Sequence, residues 1–256
     1  MALLEIQNIS MNFGGLKAIK DLSFSIESGE IRGLIGPNGA GKTTLFNVIS
    51  GVYRPSKGKL FFNNQDITLI KPHATAKLGL VRTFQSITLF KNFSVLKNVL
   101  IGRHLHSHYN FLGSLFNSSG TRRYEKENED RALEILEFMN LLKYKDELAL
   151  NLPHGHQRAL GISIALAAEP TLLMLDEPVT GMNTEETAAM MGLINKINKN
   201  GITILIIEHD MKVVMGLCHK ITVLNFGQKI AEGTPEEIRL NQEVHEAYLG
   251  GEEYAS

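Results

Sequence analysis

Gly36-Pro37-Asn38-Gly39-Ala40-Gly41-Lys42-Thr43 decides the fold. The spacing Gly-x-x-x-x-Gly-Lys-Thr is that of a P-loop. Its glycines let backbone N–H groups curl around phosphate oxygens with no Cβ in the way. Lys42 is placed to reach β- and γ-phosphates, and the Thr43 hydroxyl is a ligand for Mg2+. The flanks agree. Glu30-Ile31-Arg32-Gly33-Leu34-Ile35 reads as a buried strand entering the loop. Thr44-Leu45-Phe46-Asn47-Val48-Ile49 reads as the helix whose N-terminus faces the phosphates. The competing reading is a plain Gly-rich turn. From average residue usage, a chance match in a chain of this length is on the order of one per cent. The loop predicts a nucleoside triphosphate and does not say what the triphosphate is for.

The rest of the composition narrows the class. A chain of 256 residues holds one large core or two small ones. With 43% hydrophobic and 21% charged residues it reads as a globular protein. Net charge is −1, and no long Lys/Arg block is present, so a nucleic-acid partner is not expected. The single cysteine, Cys218, lies in an apolar stretch and reads as a core residue. Met1-Ala2-Leu3-Leu4 runs into alternating strand residues without a basic segment, so no secretory signal is expected. The apolar run Leu160 to Ala168 is too short to span a bilayer. The chain is therefore expected in the cytoplasm, with any membrane spans supplied by other subunits.

Period-two alternation marks an antiparallel sheet around the P-loop. Leu4, Ile6 and Ile9 point one way, against Glu5 and Gln7. Leu22, Phe24 and Ile26 alternate with Ser23 and Ser25, and Leu60-Phe61-Phe62 follows a Pro55-Ser56-Lys57-Gly58 turn. Short apolar runs at Leu172–Leu175, Thr203–Ile207 and the entry to the P-loop read as buried parallel strands. From about residue 94 to 168 the period becomes helical, at Val95, Val99 and Leu100, then Ala132, Leu133, Ile135, Leu136, Phe138 and Met139. The fold expected is an α/β P-loop core with an N-terminal antiparallel β subdomain and an inserted α-helical subdomain. The span 1–256 is read as one domain. His104 to Gly120 reads as a loop or irregular hairpin, and the mixed-charge run Arg122 to Arg131 as a solvated helix face.

Further motifs complete a site. Leu172-Leu173-Met174-Leu175 delivers Asp176 to a sheet edge, where it can hold Mg2+ through water. Glu177 follows and is the candidate general base for the attacking water. An acidic turn after a strand would explain this segment alone, but not beside a P-loop. Thr203 to Ile207 delivers Glu208 and His209, and His209 is a candidate hydrogen-bond donor to the γ-phosphate. A lone histidine at a strand end is ordinarily structural; its place beside two other strand ends favours a role. Gln85, in Val81-Arg82-Thr83-Phe84-Gln85, is a candidate to reach Mg2+ or the water from a movable loop.

On these residues the chain resembles the ATP-binding cassette (ABC) ATPases over nearly its whole length. The resemblance implies ATP as the nucleotide and Mg2+ as its metal. Phe13 falls at the family's adenine-stacking aromatic. Gly36, Pro37, Asn38, Gly39, Ala40, Gly41, Lys42, Thr43 and Thr44 form its Walker A loop. Gln85 is its Q-loop, Asp176 and Glu177 its Walker B pair, and His209 its switch histidine. The segments Phe13-Gly14-Gly15-Leu16-Lys17-Ala18, Val81–Gln85, Ile207-Glu208-His209-Asp210-Met211 and Ala247-Tyr248-Leu249-Gly250 are similar to the ATP-binding subunits of branched-chain amino-acid importers. The resemblance implies membrane permease partners, a second ABC ATPase subunit, a solute-binding protein met only indirectly, and a peripheral place on the cytoplasmic face of the inner membrane. The region from about residue 86 to 103 is expected to receive the permease. Importers of urea or short amides share much of the same set. A lipid or polysaccharide exporter subunit is a more distant alternative, and a regulatory ABC ATPase without permease is one of another class.

The family's signature, Leu-Ser-Gly-Gly-Gln, corresponds here to Leu152-Pro153-His154-Gly155-His156-Gln157. Pro153 offers neither hydroxyl nor N–H, and His154 replaces a glycine. Gly155 and a helix start at Arg158-Ala159-Leu160 keep backbone amides for phosphate, and His154 or His156 could add positive charge. Asn183 stands where the family usually has Asp. These departures favour a heterodimer, with a homodimer as the alternative. His104, His106 and His108 invite a metal reading, but no Asp, Glu or Cys accompanies them at ligand spacing, so a polar loop is preferred. Gln85 and His209 in this order argue against a metabolic kinase or small GTPase. The short span between Gln85 and Leu152 argues against a chromosome-type ABC protein with coiled-coil insertions. A single cassette argues against a translation-type one.

Overall fold

The structure is a computed structural model that describes residues 2–83, 89–103 and 119–249. Strands β1 (Ala2–Phe13), β2 (Leu16–Glu27), β4 (Lys57–Phe62) and β5 (Gln65–Asp66) form an antiparallel sheet in the order β2-β1-β4-β5. Leu4, Ile6 and Ile9 are all buried although an odd step separates the last two. A register shift between Ile6 and Ile9, with Asn8 at φ 50°, returns Ile9 to the inner face.

The second sheet joins β3 (Ile31–Ile35), β6 (Leu80–Arg82), β7 (Leu172–Asp176), β8 (Thr203–Ile207), β9 (Lys220–Asn225) and β10 (Gln228–Gly233), in the order β10-β9-β3-β8-β7-β6. β9, β3, β8, β7 and β6 run parallel, and β10 is antiparallel. Every residue of β3, β7 and β8 is buried, as continuous apolar runs in a covered parallel sheet require. Residues of both sheets share one apolar cluster with helix α1 (Lys42–Ile49), through Leu45, Phe46, Val48 and Ile49.

Arg32 is the exception inside β3, at 1% exposure. Its guanidinium donates to Glu30 (2.7 Å), Thr222 (3.0 Å), Glu232 (2.5 Å) and the Ser25 carbonyl (2.7 Å). Removing one partner of such a buried pair costs about 3–5 kcal/mol. Burial alone would raise the Glu232 carboxyl, but hydrogen bonds and charge from Lys229 and Arg32 outweigh it and hold it low. That stabilisation is present above the unfolded carboxylate range and is lost as pH falls through the lowered folded value. Cys218 is buried as expected, and burial, with the Glu208 charge second, pushes its thiol up to about 12, so it is unreactive.

The chain divides into two compact units. One takes the residues up to Arg82, Thr171–Pro178 and those from Ile194 onward, and contains all the strands among the described residues together with α1, α2 (Pro72–Lys77), α7 (Met211–Leu217), α8 (Pro235–Arg239) and α9 (Gln242–Leu249). The other takes Thr83–Pro170 and Val179–Leu193. It is helical: α3 (Val95–Gly102) packs on α4 (Ser119–Phe138) and on α5 (His154–Leu166). Helix α6 (Thr184–Lys199) has residues in both units. Val95, Val99, Ala132, Leu136 and Met139 are buried at helical spacing. Residues 123–131 lie mainly on a solvated face. Among the described residues, no helix is long and apolar enough to cross a membrane.

Candidate functional site

Three parallel strands end in register. Leu34 of β3 and Asp176 of β7 both pair with Ile207 of β8, so the P-loop, Glu177 and His209 leave the sheet at one edge. Gly36 has φ 150°, and a Cβ there would lie 2.1 Å from the Leu224 carbonyl oxygen. At Gly41, φ 103°, a Cβ would lie 2.7 Å from the Ala18 carbonyl oxygen. Glycine at these two places is required by neighbouring backbone, before any phosphate is considered. Pro37 accepts from the Ala40 amide at 3.1 Å, and Lys42 Nζ donates to the carbonyls of Gly36 (2.5 Å) and Pro37 (3.0 Å). Asn38, Gly39 and Thr43 are exposed along the lip, Thr44 is half-buried and Ala40 is buried. Helix α1 starts with no side-chain cap and no acid in its first turn, which leaves its N-terminal field for an anion.

Asp176 is nearly buried and accepts from Arg82 through Oδ2 at 2.7 Å. Its Oδ1 makes no hydrogen bond among the described residues. Thr43 and Asp176 offer hard oxygen donors, the type that Mg2+ takes. Glu177 follows with φ 48°, left-handed backbone that costs a non-glycine residue about 1–2 kcal/mol. Its amide donates to the Ile207 carbonyl at 3.0 Å, which fixes the turn. His209 lies between the end of β8 and Asp210, whose carboxylate caps α7 by accepting from the Lys212 and Val213 amides. Its Nδ1 is 3.7 Å from Glu177 Oε1, with the imidazole largely exposed. Phe13 ends β1 half exposed, and Tyr53 meets it edge-on, ring centroids 5.3 Å apart. Gln85 lies outside the described residues, as do His104, His106 and His108. Among the described residues no group of three or more His, Cys, Asp or Glu side chains is arranged to hold a metal ion.

The ABC transporter family model matches residues 19–180. The chain belongs to the ABC transporter family. A second model, branched-chain amino acid ATP-binding cassette transporter, matches residues 228–254. The chain is 41% identical over 249 residues (97% of it, 98% of the relative) to the high-affinity branched-chain amino acid transport ATP-binding protein BraF of Pseudomonas aeruginosa. It is 42% identical, with the same coverage, to LivG of Salmonella typhimurium, which bears the same description. Among solved structures it is similar to the ADP conformation of MJ1267, an ATP-binding cassette of an ABC transporter, with TM-score 0.85 and 33% identity over 98% of this chain and 99% of that one. As an ABC cassette the chain is an ATP-binding protein and an ATPase.

The ABC signature region differs from the sequence expectation. Helix α5 starts at His154, not at Arg158, with Pro153 in the cap position. Proline tolerates that place because a cap needs no N–H of its own, and its carbonyl accepts from the Gln157 amide at 3.0 Å. Gln157 ties back to the Leu152 carbonyl at 2.9 Å. His156 is held edge-on to Tyr144, ring centroids 5.0 Å apart, whereas His154 is exposed. A Cβ on Gly155 would come within 3.1 Å of Glu186 Oε1, so a carboxylate already sits beside this helix start. Asn183 and Glu186 form a reciprocal cap on α6: Asn183 Oδ1 accepts from the Glu186 amide at 2.9 Å, and Glu186 Oε2 from the Asn183 amide at 3.1 Å.

Three contacts escaped the sequence reading. Arg82 closes the apolar strand Leu80-Val81-Arg82, and an arginine in that place signals a buried partner, here Asp176. Tyr53 beside Phe13 is a non-local contact with no local signal. The Asn183-x-x-Glu186 cap was legible as a pattern.

Proposed function

We propose that this ATPase energises uptake of branched-chain amino acids through separate membrane permeases, from a peripheral position on the cytoplasmic face of the inner membrane. The match of residues 228–254 to the branched-chain family, beyond the general ABC model, carries the solute class. Residues 1–256 act as one nucleotide-binding domain, with the helical portion at about 94–168 inserted in it. Phe13 stacks on adenine, and the loop from Gly36 to Thr44 holds the phosphates. Thr43, Gln85 and Asp176 hold Mg2+, which when bound neutralises phosphate charge. Glu177 takes the proton of the attacking water, His209 hydrogen-bonds the γ-phosphate, and Gln85 reaches Mg2+ or that water. Permease helices dock on the segment after Gln85. Exposed Phe90 and Phe93, stacked 5.5 Å apart, support this, with exposed Leu150 joined to the same segment through its amide, which donates to the Lys91 carbonyl at 3.2 Å. Buried Asn98 braces it, accepting from the Phe90 amide and donating to the Phe90, Phe93 and Ser94 carbonyls.

The Pro153-His154 start of α5 favours pairing with a different ABC ATPase that supplies a standard signature. The test is reconstitution of this chain with its permeases and a second ATPase in proteoliposomes. ATP-driven leucine uptake by the mixed pair, with low ATPase in the isolated chain, is expected. Uptake of urea or a short amide without leucine would overturn the solute class. Robust cooperative hydrolysis by the isolated chain would overturn the heterodimer.

A further inference from the structure

The geometry points to Arg82 as a positioning residue that aligns the metal-binding acid with the P-loop helix. This rests on the reading of Asp176 and Thr43 as two of the metal's protein donors. Arg82 ends β6, where its side chain is 8% exposed. One arm of the guanidinium donates to Asp176 Oδ2 at 2.7 Å. The other donates to Asn47 Oδ1 at 2.6 Å. Its plane carbon lies 5.3 Å from the centroid of the Phe46 ring. Asn47 and Phe46 belong to α1, the helix whose first turn carries Thr43. Asp176 belongs to β7. A single rigid fork therefore spans the two elements that bring the hydroxyl and the carboxylate to the metal.

The contact does two things. It engages Oδ2, so that Oδ1 is the oxygen Asp176 presents. It also fixes the distance between β7 and α1 through a planar group that cannot pivot at one arm without straining the other. Lysine would keep the positive charge but offers a point rather than a fork, so charge neutralisation and alignment separate experimentally. Asn47 gives a second handle, because its removal leaves the Arg82–Asp176 pair intact. Outer partners of metal-holding residues typically change metal affinity about 10- to 100-fold when lost.

The test measures the affinity of a fluorescent ATP analogue in EDTA and in saturating Mg2+, and Mn2+ affinity of the nucleotide complex by electron paramagnetic resonance. R82K, N47A and D176A are compared with the parent chain, and thermal melting checks the fold. Expected for R82K is unchanged affinity in EDTA, loss of about tenfold of the metal-dependent gain, and a melting point near the parent's. N47A shows the same loss in smaller measure, and D176A the largest. If D176A abolishes the gain while R82K and N47A retain it in full, Arg82 only neutralises a buried charge and the proposal is wrong. If D176A leaves the gain intact, Asp176 is not the metal's acid, and both the reading and the proposal fall.

Discussion

Helix α1 begins at Lys42 behind a glycine, and α5 begins at His154 behind a proline. Both leave N-terminal amides without a side-chain cap, and neither has an acid in its first turn. The backbone field at the two starts is the same. The surroundings are opposite. At α1 the lip of Asn38, Gly39 and Thr43 is open, and Lys42 is held over it by loop carbonyls. At α5 the Glu186 carboxylate lies beside Gly155, and the position that would supply a hydroxyl is Pro153. A helix start attracts an anion, but the neighbouring side chains decide whether a phosphate can use it. On the function proposed above, α1 is the strong half of a phosphate site and α5 the weak half.

The most severe test of the strong half is Glu177→Gln. It is expected to keep ATP binding and lower phosphate release about 10²- to 10⁴-fold, the range for loss of a general base. Stopped-flow phosphate detection beside nucleotide titration measures both, and turnover within threefold of the parent would remove Glu177 from that role. The weak half is tested by the double change Pro153→Ser with His154→Gly in the isolated chain. A restored charge-assisted hydrogen bond of about 1.5–3 kcal/mol should raise its ATPase about 10- to 100-fold. An unchanged rate would mean that α5 is not the deficient partner and that the contrast between the two helix starts has no catalytic meaning. The smallest effect is expected at Asn183. Asn183→Ala removes the α6 cap and costs about 1 kcal/mol, whereas Asn183→Asp keeps the acceptor and the stability. Calorimetry distinguishes them. Equal melting points for the two variants would mean that the Asn183 cap does not contribute to stability.

The fold was legible because its signals are local. Alternation in Leu22, Phe24 and Ile26, and unbroken runs in Leu172–Leu175 and Thr203–Ile207, specify half-buried and fully buried strands by period alone. The position of Ile9 depended on a bulge at Asn8 that periodicity cannot show. The placement of the candidate site was legible, since the strand and loop signals put Lys42 and Thr43 at the start of α1 and Asp176 at the end of β7. Arg82 was not, since its partners at 47 and 176 are distant in sequence and meet only across α1 and β7. Helix α5 starts at His154 rather than Arg158 because proline, which lacks an amide proton, is tolerated in the cap position.

The turn between β9 and β10 carries one more consequence. The Gly227 amide donates to the Ala40 carbonyl at 3.0 Å, and the Gly227 carbonyl accepts from Lys20 at 2.8 Å. A residue far along the chain thus clips the phosphate loop to the first hairpin. Its amide proton is a built-in reporter. Hydrogen exchange or a nitrogen-15 resonance at that one glycine reads whether the loop is latched, without a label placed in the loop itself.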